Sequence, residues 1–324
     1  MDTTDSTTFA ATGADAATVI ADLRREPRRV SSKYHYDERG SRLFEEITQL
    51  DEYYLTRTER ALLEVWMPKW VGEMHPRTLV ELGAGSAEKS RIALDAMVAT
   101  GSGDTYVPVD VSADFLAETA ARLEAEYPTL DVIPTVGDIT GPLSLPPELS
   151  GPRWIAFLGS TLGNFDDAGA ESLMRRVATE LRPDDHFLLG VDLRPGDKKS
   201  TERIELAYND AQGVTAAFSL NLLAVLNDEF GSDFDLEGFR HRSRYSAERG
   251  RIETFLDAIR DQTVHFPGEE PIRIEEGEAI RTEISCKYDR ASIDALFSRS
   301  GLVVEGWEED DEGLYALVLA ARRG

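Results

Sequence analysis

Five short apolar runs alternating with amphipathic stretches constrain the fold of this chain more than any other feature. The runs are TLVEL (78–82), TYVPVD (105–110), LDVIPT (130–135), WIAFLG (154–159) and HFLLGVDL (186–193). Helical patterns separate most of them: SAEKSRIALDAMVAT, SADFLAETAARLEAEY and DAGAESLMRRVATEL. A strand that is apolar at nearly every position is buried on both faces, so the alternation predicts an α/β fold with a parallel sheet between helical layers. Right-handed crossovers make it doubly wound. Near the C-terminus LVVEGWEED and LYALVLAARR follow each other with no helix between them, so they must pair antiparallel.

The rest of the chain hangs on that core. Residues 1–30 are rich in Ala, Thr and Asp, read as a partly mobile segment with a short helix around AATVIADLRREP. Residues 31–75 read as a helical N-terminal cap, and 76–194 as the core. The alternation stops after Asp192. Residues 195–288 hold helices around STERIELAYNDAQGVTAAFSLNLLAVLNDEF and a strand pair, RIETFLDAIRDQTVHF with AIRTEISCKY, which marks an inserted lobe. Residues 289–324 return to the core as a helix and two strands.

Composition excludes several classes of function. The 60 acidic residues outnumber the 35 basic ones, for a net charge of −25, and such a field repels nucleic acid. The charge itself reads as a solvated surface and points to no function. No apolar run reaches the roughly 20 residues of a membrane span, and the N-terminus lacks the basic and apolar regions of a signal peptide. A cytoplasmic protein, not associated with membranes, is the expectation, and a monomer. A single cysteine, Cys286, excludes an internal disulfide, and the scattered histidines suggest no metal site.

The chemistry is written at the strand ends. TLVEL runs into Gly83 and Gly85, giving E-x-G-x-G, with the next helix beginning near Ser86. Glycines let a backbone approach a ligand closely at the carboxyl end of a parallel sheet. A dinucleotide fingerprint would carry a third glycine where Glu88 stands, and a carboxylate there opposes pyrophosphate. A phosphate-free adenosine cofactor, S-adenosylmethionine, fits better. Asp110 ends the second strand, placed to accept both ribose hydroxyls, although it could instead cap the helix near Ala113. Asp138, in VGDIT, could meet the adenine amine, with the Ile139 N–H facing a ring nitrogen. The fourth strand ends in FLGSTLGNF, where Gly159 and Asn164 crowd the loop expected to present the methyl group. Asn binds a zwitterion from both ends, through its carbonyl and its NH₂. Parallel strands, an antiparallel C-terminal pair and this set of strand ends make the Rossmann-like plan of S-adenosylmethionine-dependent methyltransferases.

Five separated motifs, KYHYDERGSRLFEEITQLDEYYLTRTE, VELGAGSAEKS, FLGSTLGN, AYNDAQGVTAAF and TEISCKY, closely resemble the histidine-specific Nα-methyltransferases of ergothioneine biosynthesis, from about Ser32 to the C-terminus. The resemblance implies conversion of L-histidine to its Nα-trimethylated form, hercynine, by three successive transfers from S-adenosylmethionine. It implies a substrate site between the core and the inserted lobe. Tyr54, Gly159 and Asn164 would surround the amino and carboxylate groups, with Tyr208 as a further carboxylate contact. Tyr36, Glu283 and Ser285 would meet the imidazole, and Tyr36, Tyr54 and Asn164 form the expected catalytic set. Gly83, Gly85, Lys89, Asp110, Asp138 and Ile139 would bind the cofactor, Lys89 through its carboxylate. One member of the family has Met beside the imidazole where this chain has Thr254, so substrate contact at Thr254 would be smaller and more polar.

Residue chemistry points the same way. Glu283 and Ser285 lie two apart on a strand and share a face, offering an acceptor and a hydroxyl to the two ring nitrogens. Cys286 faces the other way and reads as core. Methyl transfer asks mainly for positioning of a neutral amine, and an acidic, aromatic-lined pocket suits a trimethylammonium product. Three other readings stay open: Nα-methylation of another amino acid or histidine analogue, a non-catalytic S-adenosylmethionine-binding protein, and a nicotinamide oxidoreductase.

Overall fold

The computed structural model describes residues 13–324. The first part of the segment expected to be mobile lies outside the described residues. In chain order the elements are α1 (Gly13–Arg24), α2 (Glu38–Gln49), α3 (Leu55–Met74), β1 (Thr78–Leu82), α4 (Ser90–Thr100), β2 (Thr105–Asp110), α5 (Ala113–Glu126), β3 (Asp131–Val132), β4 (Thr135–Val136), β5 (Arg153–Phe157), α6 (Asp167–Glu180) and β6 (His186–Asp192). Then come α7 (Thr201–Leu206), α8 (Val214–Phe230), β7 (Phe239–Ser246), β8 (Arg251–Ala258), β9 (Gln262–Val264), β10 (Ile272–Ile274), β11 (Ala279–Cys286), α9 (Arg290–Ser300), β12 (Leu302–Glu309) and β13 (Tyr315–Arg322).

The chain divides into two compact units. One runs to Tyr54 and resumes over Ser200–Ser285; the other comprises Leu55–Lys199 and Cys286–Gly324. The lobe expected over 195–288 thus spans a slightly shorter stretch, and the expected cap is divided at Tyr54. Helix α3 goes with the second unit because its buried face, Leu62, Leu63, Met67 and Trp70, packs on α4 and β13.

The second unit is built on one sheet in the order β12-β13-β6-β5-β1-β2-β3, with β4 also on β2. Strands β1, β2, β5 and β6 run parallel, and β13 is antiparallel to both β6 and β12. Every residue of β1 and β5 is buried, as strands covered on both faces must be. Strand order reverses between β1 and β5, so the loops after these two strands flank the crevice where open α/β sheets bind ligands. The run expected as one strand at 130–135 is two short ones. Ile133 and Pro134 part β3 from β4, and a proline has no N–H to give to a ladder.

The first unit carries a three-stranded sheet, β11-β8-β7, and a separate pair, β10-β9. Its core gathers Val19 and Leu23 of α1, Leu222 and Leu226 of α8, Leu256 of β8, and Val264, Ile274 and Ile280. Strand β7, FRHRSRYS, is absent from the expected strand pair because its pattern is polar on both faces. Its arginines find partners only once it is paired. Arg242 forms a two-bond ion pair with Asp257 of β8, and Arg242 and Arg244 lie 4.6 and 5.4 Å from the Phe255 ring.

Candidate active site

In the second unit the turn after β1 has the conformation its glycines suggest. Gly83 and Gly85 have φ of +68° and +51°, in the left-handed region. Their N–H groups reach back to β2: Gly83 donates to the Val109 carbonyl (2.8 Å) and Gly85 to Asp110 Oδ2 (3.1 Å). Helix α4 begins at Ser90, later than the Ser86 expected, because Ala87 also takes a positive φ of 55° and prolongs the turn.

Asp110 is held from two sides, since its Oδ1 accepts from the Ser112 N–H at 3.2 Å. Ser112, not Asp110, is the N-cap of α5. A methyl group added at Gly83 or Gly85 would meet no atom within 4 Å. An open glycine turn beside a fixed carboxylate suits an adenosine cofactor. Asp138 is less committed to that role. Its Oδ1 accepts from both the backbone and the hydroxyl of Thr140, at 2.7 Å each, and the Ile139 carbonyl accepts from Arg176 (2.8 Å).

Beyond β5, Gly159 and Ser160 take consecutive positive φ values of 80° and 57°, and a 3₁₀ turn over Thr161–Asn164 follows. Asn164 is half-buried at the end of that turn. The Gly159 N–H donates to Glu59 of α3, at 2.7 Å to Oε1 and 3.0 Å to Oε2. Lys89 pairs with the same carboxylate, and Tyr315 OH donates to it at 2.7 Å. Glu59 and Tyr315 escaped the sequence reading. The available signal was a glutamate on the buried face of α3, between Leu55 and Leu62–Leu63, where an apolar residue belongs.

Glu81 lies inside β1 and accepts from Tyr106 OH; burial, against the pull of its hydrogen bonds, pushes its carboxyl up to about 7. It is a structural acid under the turn. At the end of β6, Asp192 receives both Lys199 and Lys287, all three buried. Cys286 is buried in this unit, its thiol donating to the Phe165 carbonyl at 3.4 Å.

In the first unit the motif HYDERG places Tyr36. Asp37 caps α2 by accepting from the Gly40 N–H (2.7 Å), and Asn221 of α8 donates to the same oxygen at 2.7 Å. Gly40 must be glycine: a Cβ there would come within 1.6 Å of the His35 carbonyl oxygen. The chain therefore folds back on itself and holds Tyr36 edge-on to Phe44 (5.8 Å) and Phe218 (5.5 Å). Although 40% of the residue is exposed, desolvation of its hydroxyl, then the charge of Glu283 and the phenol of Tyr208, raise its pKa. Tyr36 is therefore an O–H donor at neutral pH.

Tyr208 OH donates to Ser285 Oγ at 2.9 Å, and Tyr53 lies edge-on to Tyr208 at 6.2 Å. Tyr54 is 1% exposed, with the Arg203 guanidinium 5.7 Å from its ring. Thus Tyr36, Tyr208, Glu283 and Ser285 come together by contact or charge. Thr254 is placed in the buried face of β8, and its hydroxyl is shared with Ser243 at 2.7 Å. The aromatic walls Phe44 and Phe218 were not singled out from sequence, since isolated phenylalanines read as ordinary core. Among the described residues no group of three or more His, Cys, Asp or Glu could hold a metal, and no helix is long and apolar enough to cross a membrane.

A parallel sheet closed by an antiparallel hairpin, with a glycine turn and a carboxylate at its switch point, defines an S-adenosylmethionine-dependent methyltransferase. A crystal structure of such an enzyme from Clostridium acetobutylicum shares the fold, with a TM-score of 0.50 at 10% identity over 88% of this chain and 99% of that one. Residues 15–322 match the family model for histidine-specific, S-adenosylmethionine-dependent methyltransferases, and the chain belongs to that family. It is 39% identical to the histidine N-alpha-methyltransferase of Mycolicibacterium smegmatis, over 94% of each chain. Ergothioneine biosynthesis protein 1 of Neurospora crassa is 31% identical over 91% of this chain and 33% of its own length.

Proposed function

We propose that this chain trimethylates L-histidine on its α-nitrogen, giving hercynine for ergothioneine biosynthesis. The observation that carries this reading is the polar cluster of the first unit: an acceptor-only carboxylate, Glu283, and a hydroxyl, Ser285, on one strand beside tyrosines. Tyr208 OH donates to Ser285 Oγ, so the serine hydrogen is turned away from Tyr208. A neutral imidazole presents one N–H and one bare nitrogen. Glu283 accepts the first and Ser285 donates to the second.

S-adenosylmethionine, when bound, supplies an electrophilic methyl group on a sulfonium. The protein's own task is orientation. Asp110 would accept from the ribose hydroxyls, Asp138 and Ile139 would serve the adenine, and Lys89 would meet the amino-acid end. The family resemblance assigns Asn164, Gly159, Tyr54 and Tyr208 to the amino and carboxylate groups of the histidine. In each transfer the amine lone pair forms the N–C bond as the S–C bond breaks. One amine proton leaves before each of the three transfers, and the third transfer leaves a fixed cation at the amino end, by Tyr54 and Asn164.

Mass spectrometry after incubation with S-adenosylmethionine and each of the 20 amino acids tests this directly. Histidine should gain three methyl groups, and no other amino acid should approach its rate. Glu283→Ala should lower kcat/KM for histidine roughly 10- to 150-fold, as expected for losing a hydrogen bond to a charged group. Phenylalanine or tryptophan turnover should hardly change. Equal losses on both substrates would show that the imidazole is read elsewhere.

A further inference from the structure

Buried carboxylates in this chain have evident partners, and one of them has partners that all belong to the candidate cofactor loops or their support. Glu59 is 0% exposed. Its Oε1 accepts from the Gly159 N–H and Tyr315 OH, at 2.7 Å each. Its Oε2 accepts from Lys89 Nζ, while the Lys89 side chain keeps 25% of its surface open. The room for this arrangement is made by Gly190 of β6, where a Cβ would stand 2.1 Å from Glu59 Oε1. Gly159 does the same on the other side, since a Cβ there would come within 3.1 Å of Lys89 Nζ. A helix, the turn after β1, the loop after β5 and two strands therefore converge on one carboxylate.

We propose that Glu59 is a positioning residue for the amino-acid end of the cofactor, acting through Lys89 and the Gly159 turn. This rests on the cofactor site argued above. A lysine on a flexible stem loses rotamer entropy when it meets a ligand. Glu59 removes that cost beforehand by fixing the ammonium through one of its three donors, which leaves two for a ligand carboxylate. The same carboxylate holds Gly159 in its left-handed conformation through the amide, so the two loops that flank the crevice are set together.

The chemistry requires an acceptor at both oxygens. In Glu59→Gln the amide oxygen can still serve Gly159 and Tyr315, but the NH₂ then faces the Lys89 ammonium, donor against donor. Lys89 leaves its place although the packing volume is unchanged. Affinity for S-adenosylhomocysteine, which has the amino-acid end, should fall roughly tenfold or more, the scale of one charge-assisted hydrogen bond. Affinity for methylthioadenosine, which lacks that end, should stay within about twofold.

Calorimetry on the full chain with these two ligands reads both effects. Glu59→Asp keeps the buried charge but draws the carboxylate back by one methylene, so it should show the same selective loss if Glu59→Gln does not fold. Unchanged or tighter S-adenosylhomocysteine binding in the variants, or an equal loss for both ligands, overturns the role of Glu59; the equal loss would mark it as general support. Wild-type protein that binds neither ligand overturns the cofactor reading itself, a different failure from the first.

Discussion

Replacing Asp192 by Asn would expose how the core tolerates its most deeply buried charges. Asp192 is 0% exposed and lies between two ammonium groups, with Lys287 at 2.6 Å from Oδ2 and Lys199 on Oδ1. Lys199 also donates to the Leu193 and Leu314 carbonyls at 2.6 and 3.0 Å, so it cannot swing out without breaking backbone contacts. The native triad holds one negative and two positive charges. Asn leaves two positive charges and turns its NH₂ toward one of them. Removing one partner of a buried ion pair costs about 3–5 kcal/mol. At roughly 2–4 °C per kcal/mol, the melting temperature should fall by about 6–20 °C.

The loss has a pH signature. Burial, and then the Lys287 charge, hold Lys199 down to about 8 despite Asp192, below its ordinary value of 10.5. A depressed folded value means that the contribution of Lys199 is fully present above its unfolded value and is lost as pH falls through the folded one. Without Asp192 that folded value drops further, so the variant sheds its proton before the wild type does. The stability gap between them should narrow as pH rises toward 8. Urea denaturation at a series of pH values measures it. A loss below about 1 kcal/mol, or a gap independent of pH, would refute the account of a charge cluster centred on Asp192.

Two further outcomes are expected. Asp110→Ala should weaken S-adenosylhomocysteine about tenfold or more in calorimetry, because a carboxylate fixed by the Gly85 and Ser112 amides loses its hold on two hydroxyls. His35 is buried and stacked on Phe218 at 4.7 Å, with Nδ1 on the Ser32 carbonyl and Nε2 without a partner; burial pushes it down to about 4 from 6.5. Its depressed value means that stability present above 6.5 is lost as pH falls toward 4, and His35→Phe should flatten that part of the denaturation profile.

Much of this protein is settled by local sequence. Strands apolar at nearly every position leave only a sheet covered on both faces, and two final strands without an intervening helix leave only an antiparallel pair. Gly83 and Gly85 announce a turn whose left-handed φ values side-chain-bearing residues rarely adopt, and Asp37 with Gly40 forces the fold-back that places Tyr36. These features repeat every few residues or act within one turn, so they can be read along the chain. Strand β7 could not be read in this way, because its arginines acquire meaning only from Phe255 and Asp257 on the strand beside them. Nor could the role of Glu59, whose partners Lys89, Gly159 and Tyr315 are up to 256 residues away. The buried triad of Asp192, Lys199 and Lys287 is likewise three unremarkable charges until the fold removes water from around them. Periodicity fixes which face of an element is apolar; only tertiary packing decides which polar groups are buried together, and there desolvation gives each pairing its energy.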